Sequence, residues 1–190
     1  MLSWSLNKWL TVAVIVAVVG AGWFFIFRDK PAVNQSKETP AISSVSFKYP
    51  EGWQTVKLTD ADKIAGIILR LKKTNPESSL IIRAITGKLQ KDVDFKALPG
   101  QIADTLAREA QNVTIVSKEV VKLGSYDAIV VRYKQVSKDN VNFENVMTVM
   151  PTLNQTFYLT ARAKQADFSK IEGDSGKLSK DFADFVSKQQ

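Results

Sequence analysis

The sequence predicts an α+β protein: an N-terminal transmembrane helix followed by an α/β/α sandwich built on a central antiparallel sheet. Three observations carry that expectation. A run of 19 uncharged residues from Trp9 to Phe27 is followed at once by Arg28-Asp29-Lys30. Beyond about residue 45, short apolar segments with strand-like alternation are separated by turn residues. Two stretches, one around Phe95 to Ala110 and one at the C-terminal end, place apolar residues every three or four positions, the period of a helix with one buried face.

The first element is the apolar run. At about 1.5 Å per residue it reaches roughly 28 Å, one hydrocarbon core. A secretory signal has a shorter apolar segment and a small-x-small cleavage site. This run instead ends in Trp23-Phe24-Phe25-Ile26-Phe27, with Ala21-Gly22 as its one small pair, and so reads as a retained anchor. Trp9, Trp23 and Phe27 are the expected anchor residues, since aromatic rings near the ends of a span prefer the headgroup level. Ala13, Ala17 and Ala21 form a small-xxx-small stripe through which two such helices could associate. Lys8 lies on one side and Arg28 and Lys30 on the other, so the charges alone do not orient the span. The short tail before it and the long domain after it favour a single-pass protein of the cell membrane with its domain outside, because long domains translocate largely regardless of charge.

The chain therefore divides into a tail (1–8), a span (9–27), a linker (28–44) and a globular domain (45–190). The linker is polar and contains Pro31 and Pro40. It is unsuited to burying a surface of its own. Within the domain, Val45 to Tyr49 and Trp53 to Leu58 read as strands around the Pro50-Glu51-Gly52 turn. Ile64 to Leu71 and Leu80 to Thr86 read as a hairpin joined through Asn75-Pro76-Glu77-Ser78. Phe95, Leu98, Ile102 and Leu106 mark a helix, with Pro99-Gly100 near its start, where proline is tolerated. Strands follow at Val113 to Leu123, Tyr126 to Gln135, Phe143 to Met150 and Thr156 to Ala163. In the second of these, Ile129, Val131 and Tyr133 fall on one face and Ala128 and Val130 on the other, which calls for cover on both sides. Phe168 and Ile171 mark a short helical piece. Leu178, Phe182, Phe185 and Val186 mark a closing amphipathic helix, with Asp174 or Ser175 as its N-cap.

Chemistry is sparse. The sequence has no His and no Cys, which removes the commonest general base, thiol nucleophiles, disulfides and most zinc, haem and iron–sulfur ligation. Asp60 with Asp62, and Asp92 with Asp94, are Asp-x-Asp pairs, but neither continues into a calcium loop with a central glycine and a distal glutamate. They read as solvated loop carboxylates, and Asp181 and Asp184 as the wet side of the last helix. No Gly-rich phosphate loop is present. No catalytic, cofactor-binding or metal-binding residue is expected, and the chain is not expected to be an enzyme. After the first 43 residues the domain holds 22 basic and 17 acidic side chains, intermixed. Nucleic acid is excluded by the lack of a dense basic stripe with interleaved aromatics; mild attraction to an anionic surface fits better.

Several local patterns carry a family resemblance. Phe47-Lys48-Tyr49-Pro50-Glu51-Gly52-Trp53 resembles the opening strand and Pro-x-x-Trp turn of PsbP-like proteins. Gly124-Ser125-Tyr126-Asp127-Ala128-Ile129-Val130-Val131-Arg132-Tyr133 is similar to their central turn and strand, and Phe157-Tyr158-Leu159-Thr160-Ala161 to their penultimate strand. Where their closing helix often carries Ser-Phe, this chain has Asp181-Phe182. The resemblance implies an antiparallel sheet between helices, a fold shared with a nuclear Ran-binding family, and roles in binding and assembly. Plant subunits of that family are soluble and use histidine in metal sites, so a membrane-anchored bacterial member is the closer match to a histidine-free chain. The expected function is a non-enzymatic, membrane-anchored binding or assembly module. Its partners are the bilayer and an envelope or membrane protein. The alternative is a small-ligand or lipid-binding domain at the membrane surface, using a cavity between sheet and helices.

Overall fold

The structure, a computed structural model, describes residues 45, 47, 49–86, 94–152 and 155–189. The expected span at 9–27, its anchor residues Trp9, Trp23 and Phe27, and the Ala13, Ala17, Ala21 stripe lie outside the described residues. Among those described, no helix is long and apolar enough to cross a membrane.

Seven strands form one antiparallel sheet in the order β1-β2-β3-β7-β6-β5-β4. They are β1 (Trp53–Thr55), β2 (Ile67–Lys73), β3 (Ser78–Thr86), β4 (Val113–Leu123), β5 (Tyr126–Val136), β6 (Asn142–Pro151) and β7 (Gln155–Lys164). β2 and β3 make the expected hairpin, although its first strand starts at Ile67 rather than at Ile64, which ends a short helix, and β4 through β7 run as a meander whose last strand returns to pair with β3. Three helices accompany the sheet: α1 (Asp60–Ile64), α2 (Leu98–Glu109) and α3 (Glu172–Ser187). A 3-10 turn at Gln165–Lys170 leads from β7 into α3.

Strand alternation sorts the core into two clusters. Leu80, Ile82, Phe157, Leu159 and Ala161 face α3 and meet Leu178, Phe182 and Val186. Ile129, Val131, Tyr133, Met147 and Val149 face α2 and meet Leu98, Ile102 and Leu106. The two-sided cover expected from the Tyr126 to Gln135 segment is present, and the sandwich has one long helix per face.

The differences from expectation are local. Val45, Phe47 and Tyr49 are not in a strand; instead they pack on the α3 side, with the Phe47 ring centroid 6.0 Å from that of Phe182. Alternation correctly marks which residues turn inward, but inward packing on α3 does not require strand pairing. The strand from Trp53 stops at Thr55 rather than Leu58. Asp60 and Asp62 are not loop carboxylates, because α1 forms there. Thr59 accepts from the Asp62 N–H at 3.1 Å while Asp62 accepts from the Thr59 N–H at 3.0 Å, a reciprocal cap. Asp62 also pairs with Arg70. α3 begins at Glu172, before the expected caps, so Asp174 is free to bind elsewhere. In the other pair, Asp92 lies outside the described residues, and Asp94 accepts from the Lys96 N–H ahead of α2.

Between α1 and β2 the chain needs Gly66. Its φ is +75°, and a Cβ there would sit 2.7 Å from the Ala84 carbonyl oxygen. Its own carbonyl accepts from the Ala84 N–H at 2.9 Å, so the close approach is part of the pairing. Gly66→Ala is expected to cost about 1–2 kcal/mol from the left-handed backbone alone, seen as a lower urea midpoint at unchanged m-value.

Candidate functional site

Sheet width decides where a site can lie. Seven strands at about 4.8 Å spacing make a sheet roughly 29 Å across, whereas a helix is about 10–12 Å wide. One helix therefore leaves part of each face to side chains, loops or a ligand. On its own face α3 shares a core with β2, β3 and β7 and meets the end of β4 near Gly124. Between that end and the start of α3, part of the β4-β5-β6 surface stays open as a groove.

Two cross-strand rows form the groove floor: Ser117-Arg132-Val146 and Glu119-Val130-Thr148, each in register across β4, β5 and β6. Phe168 and the first two turns of α3, through Glu172, Ser175, Gly176 and Ser179, form the wall. The cavity volume is about 200 Å³.

Arg132 organises the floor. Its Nη2 lies 2.9 Å from Glu172, and its Nε lies 2.6 Å from Glu144 but out of line for a hydrogen bond, so that contact is an ion pair only. The guanidinium also sits 5.2 Å from the Phe168 ring centroid. Burial by itself would lower the Arg132 pKa; Glu172 and Glu144 outweigh it and raise the value. The group is a fixed cation whose charge is already met from within the protein.

The helical wall is bare at Gly176. Gly173 and Gly176 stand three residues apart inside α3, and a Cβ on either would meet nothing within 4 Å. Neither glycine is required by φ or by crowding, yet each costs the helix about 1 kcal/mol relative to alanine. Thr148, Ser175 and Ser179 are each at least nine-tenths buried, and they bring hydroxyls to the groove.

On the opposite face the polar groups are sealed rather than open. The Arg162 guanidinium stacks 3.8 Å from the Phe143 ring centroid, beside buried Tyr133. Burial raises the Tyr158 hydroxyl pKa to about 12 despite nearby Arg83. Asn145 Nδ2 and Gln135 Oε1 are buried there without hydrogen-bond partners among the described residues.

Among the described residues the sheet also has one long edge with no strand beside it. β4 is 11 residues long and forms the last strand of the sheet, whereas β1 at the other edge has 3 residues. Val116 is the extra residue of a bulge opposite β5; it is 49% exposed, and Val120 is 42% exposed.

Among the described residues no group of three or more His, Cys, Asp or Glu side chains could hold a metal ion. Asp181 and Asp184 are half-buried on α3, apart from the groove. Sequence reasoning missed Arg132, Glu172, Gly176 and the three hydroxyls. One signal was available: two glycines three apart inside an amphipathic helix.

No protein-family model matches the sequence, and no curated protein matches it at significant similarity. Solved structures do resemble it. PsbP of the cyanobacterium Synechocystis sp. PCC 6803 aligns over 77% of this chain and 96% of its own, at 12% identity and a TM-score of 0.50. LpqN, involved in cell envelope biogenesis of Mycobacterium tuberculosis, aligns over 69% of this chain and 77% of its own, at 14% identity and a TM-score of 0.47. A Pseudomonas aeruginosa protein of unknown function aligns over 55% of this chain and 70% of its own, at 12% identity and a TM-score of 0.47. The first of these likenesses establishes the fold as PsbP-like. The residues of the resemblance have structural roles that agree with it. Trp53 follows the Pro50 turn and ties β1 to α3 through its indole N–H, which donates to Asp174 at 2.8 Å. Gly124, at φ +58°, turns β4 into β5.

Proposed function

We propose that the chain is a membrane-anchored, non-enzymatic binding module that docks on an envelope or membrane protein by adding that partner's extended segment to β4. The observation that supports this is the free edge of β4, an 11-residue strand with two exposed valines. An unpaired edge offers a row of backbone donors and acceptors, and alternate side chains supply selectivity. Lys118, Lys122 and the bulge at Val116 guard against indiscriminate pairing, a familiar use of charge and irregularity at sheet edges. Anchoring through the Trp9 to Phe27 run would raise the domain's effective concentration at such a partner, so each contact could be weak.

The absence of cysteine from the sequence makes a direct test convenient. Val116→Cys and Val120→Cys, each carrying a photo-crosslinker, are expected to capture the same membrane protein reproducibly in native membranes. A Gln54→Cys control on the β1 edge should not. Scattered products, or the same products from the control, would exclude β4 as the docking edge.

A second reading, a small-ligand site, is favoured by one specific observation. The groove beside α3 carries three hydroxyls and a helical wall that is bare at Gly176.

A further inference from the structure

We propose that the groove between α3 and the β4-β5-β6 floor binds a primary ammonium group on a short alkyl chain. This rests on the small-ligand reading and assigns the chemical class of the ligand. It is independent of docking through β4.

Size comes first. A cavity of about 200 Å³ holds roughly six or seven waters at about 30 Å³ each. That suits a chain of a few carbons with one polar head and is well below a drug-sized pocket.

Charge comes next. Three charged residues line the groove: Glu119, Arg132 and Glu172. Glu144 approaches Arg132 from behind, and Lys134 lies opposite Glu144 across the strands without lining the groove. Arg132 is met by both Glu144 and Glu172, so it has little attraction left for an anion. Glu119, at the outer side on β4, has no cation within 4 Å among the described residues. Glu172 and Asp174 in the first turn of α3 offset the partial positive charge of that helix end. The balance facing the groove is negative.

Hydrogen bonding agrees. Three donors of an ammonium group need acceptors, and hydroxyls of Thr148, Ser175 and Ser179 with the Glu119 carboxylate provide them. Val130 and Val146 provide an apolar floor for the alkyl stem, much as a lysine stem lies along apolar surface while its head stays polar. Gly176 explains itself in this arrangement. A side chain there would fill the space the stem needs, although nothing in the protein excludes it.

The same chemistry is present in a free alkyl amine and in a lysine side chain. The test is amide chemical-shift titration of the full chain in detergent micelles, using butylamine, putrescine, a lysine-containing peptide, butanol and butyrate. Saturable shifts at Thr148, Gly176 and Ser179 with any of the three amines, but not with butanol or butyrate, are the expected result. Response to the small amines marks a free ligand, and response to the peptide alone marks a partner's lysine. Gly176→Leu and Glu119→Gln should each weaken binding by about tenfold or more. Gly173→Leu, on the same helix but outside the groove, should not, which separates a blocked groove from a damaged helix. Shifts with butyrate or butanol alone would overturn the ammonium assignment and leave a ligand groove standing. No saturable shift with any probe would overturn both, as would amine shifts that persist in Gly176→Leu.

Discussion

Phe182→Ala is expected to destabilise the domain by about 3–5 kcal/mol, the usual cost of removing a fully buried aromatic ring. For a chain of this size that corresponds to a melting temperature lower by roughly 6–20 °C. Phe182 has 0% exposure and joins three parts of the fold. Its ring meets Phe157 of β7 edge-on, with centroids 5.0 Å apart. It lies 6.0 Å from Phe47 of the incoming segment and 6.3 Å from Phe185 one turn along. Truncation therefore opens a cavity bounded by a strand, a helix and an irregular segment, and only the last can easily collapse into it. Net stabilities of such domains run to about 5–15 kcal/mol, so this one change removes a large share. Phe47→Ala should cost less, because that residue is only partly buried. Urea unfolding followed by tryptophan fluorescence measures both. A loss under about 1 kcal/mol for Phe182→Ala would mean that α3 does not seat on the sheet as described.

Phe182 also shows how much of the fold was legible in advance. Its spacing from Leu178, Phe185 and Val186 marked a helix, and that helix is present as α3. The four-strand run from Val113 to Lys164 was equally readable, because turns at Gly124-Ser125 and Lys138-Asp139-Asn140 punctuate clear alternation. What failed did so for local reasons. α1 is 5 residues long, too short for periodicity to declare it, and its signal was the reciprocal Thr59 and Asp62 cap. The start of α3 was misplaced because Asp174 and Ser175 are favoured N-cap residues, whereas the helix begins at Glu172 and runs through them. That error hid the candidate groove. A glycine inside a helix shows its purpose only when the space beside it is known, and that space depends on strands distant in sequence. Arg132 was similarly opaque, since its partners Glu144 and Glu172 come from β6 and α3.

Asp174→Ala is expected to cost about 2–3 kcal/mol, in the range for losing hydrogen bonds to a charged group. Asp174 accepts from the Trp53 indole N–H at 2.8 Å and from Lys73 Nζ at 2.7 Å, so one carboxylate ties α3 to the edge strand β1 and to its neighbour β2. Burial by itself would raise its pKa. Hydrogen bonds from Lys73 and Trp53, aided by the charges of Lys73 and Lys177, outweigh burial and hold it below the ordinary carboxylate value. The direction fixes the pH dependence. A carboxyl whose pKa is lower folded than unfolded contributes fully above the unfolded value, about 4, and loses that contribution as pH falls through the folded value. The stability gap between wild type and Asp174→Asn should thus be flat from about pH 7 to pH 5 and narrow below about pH 4. Asp62 has the same sign: burial raises its pKa, and the Thr59 cap with Arg70 more than reverses it. The Asp62→Asn, Asp174→Asn double variant should therefore lose less stability in acid than either single variant. Urea midpoints across this pH range test the pairing, with Trp53 as reporter at the site itself. A gap that stays constant to the lowest pH would show that the Asp174 carboxylate does not hold Lys73 and Trp53 through its charge.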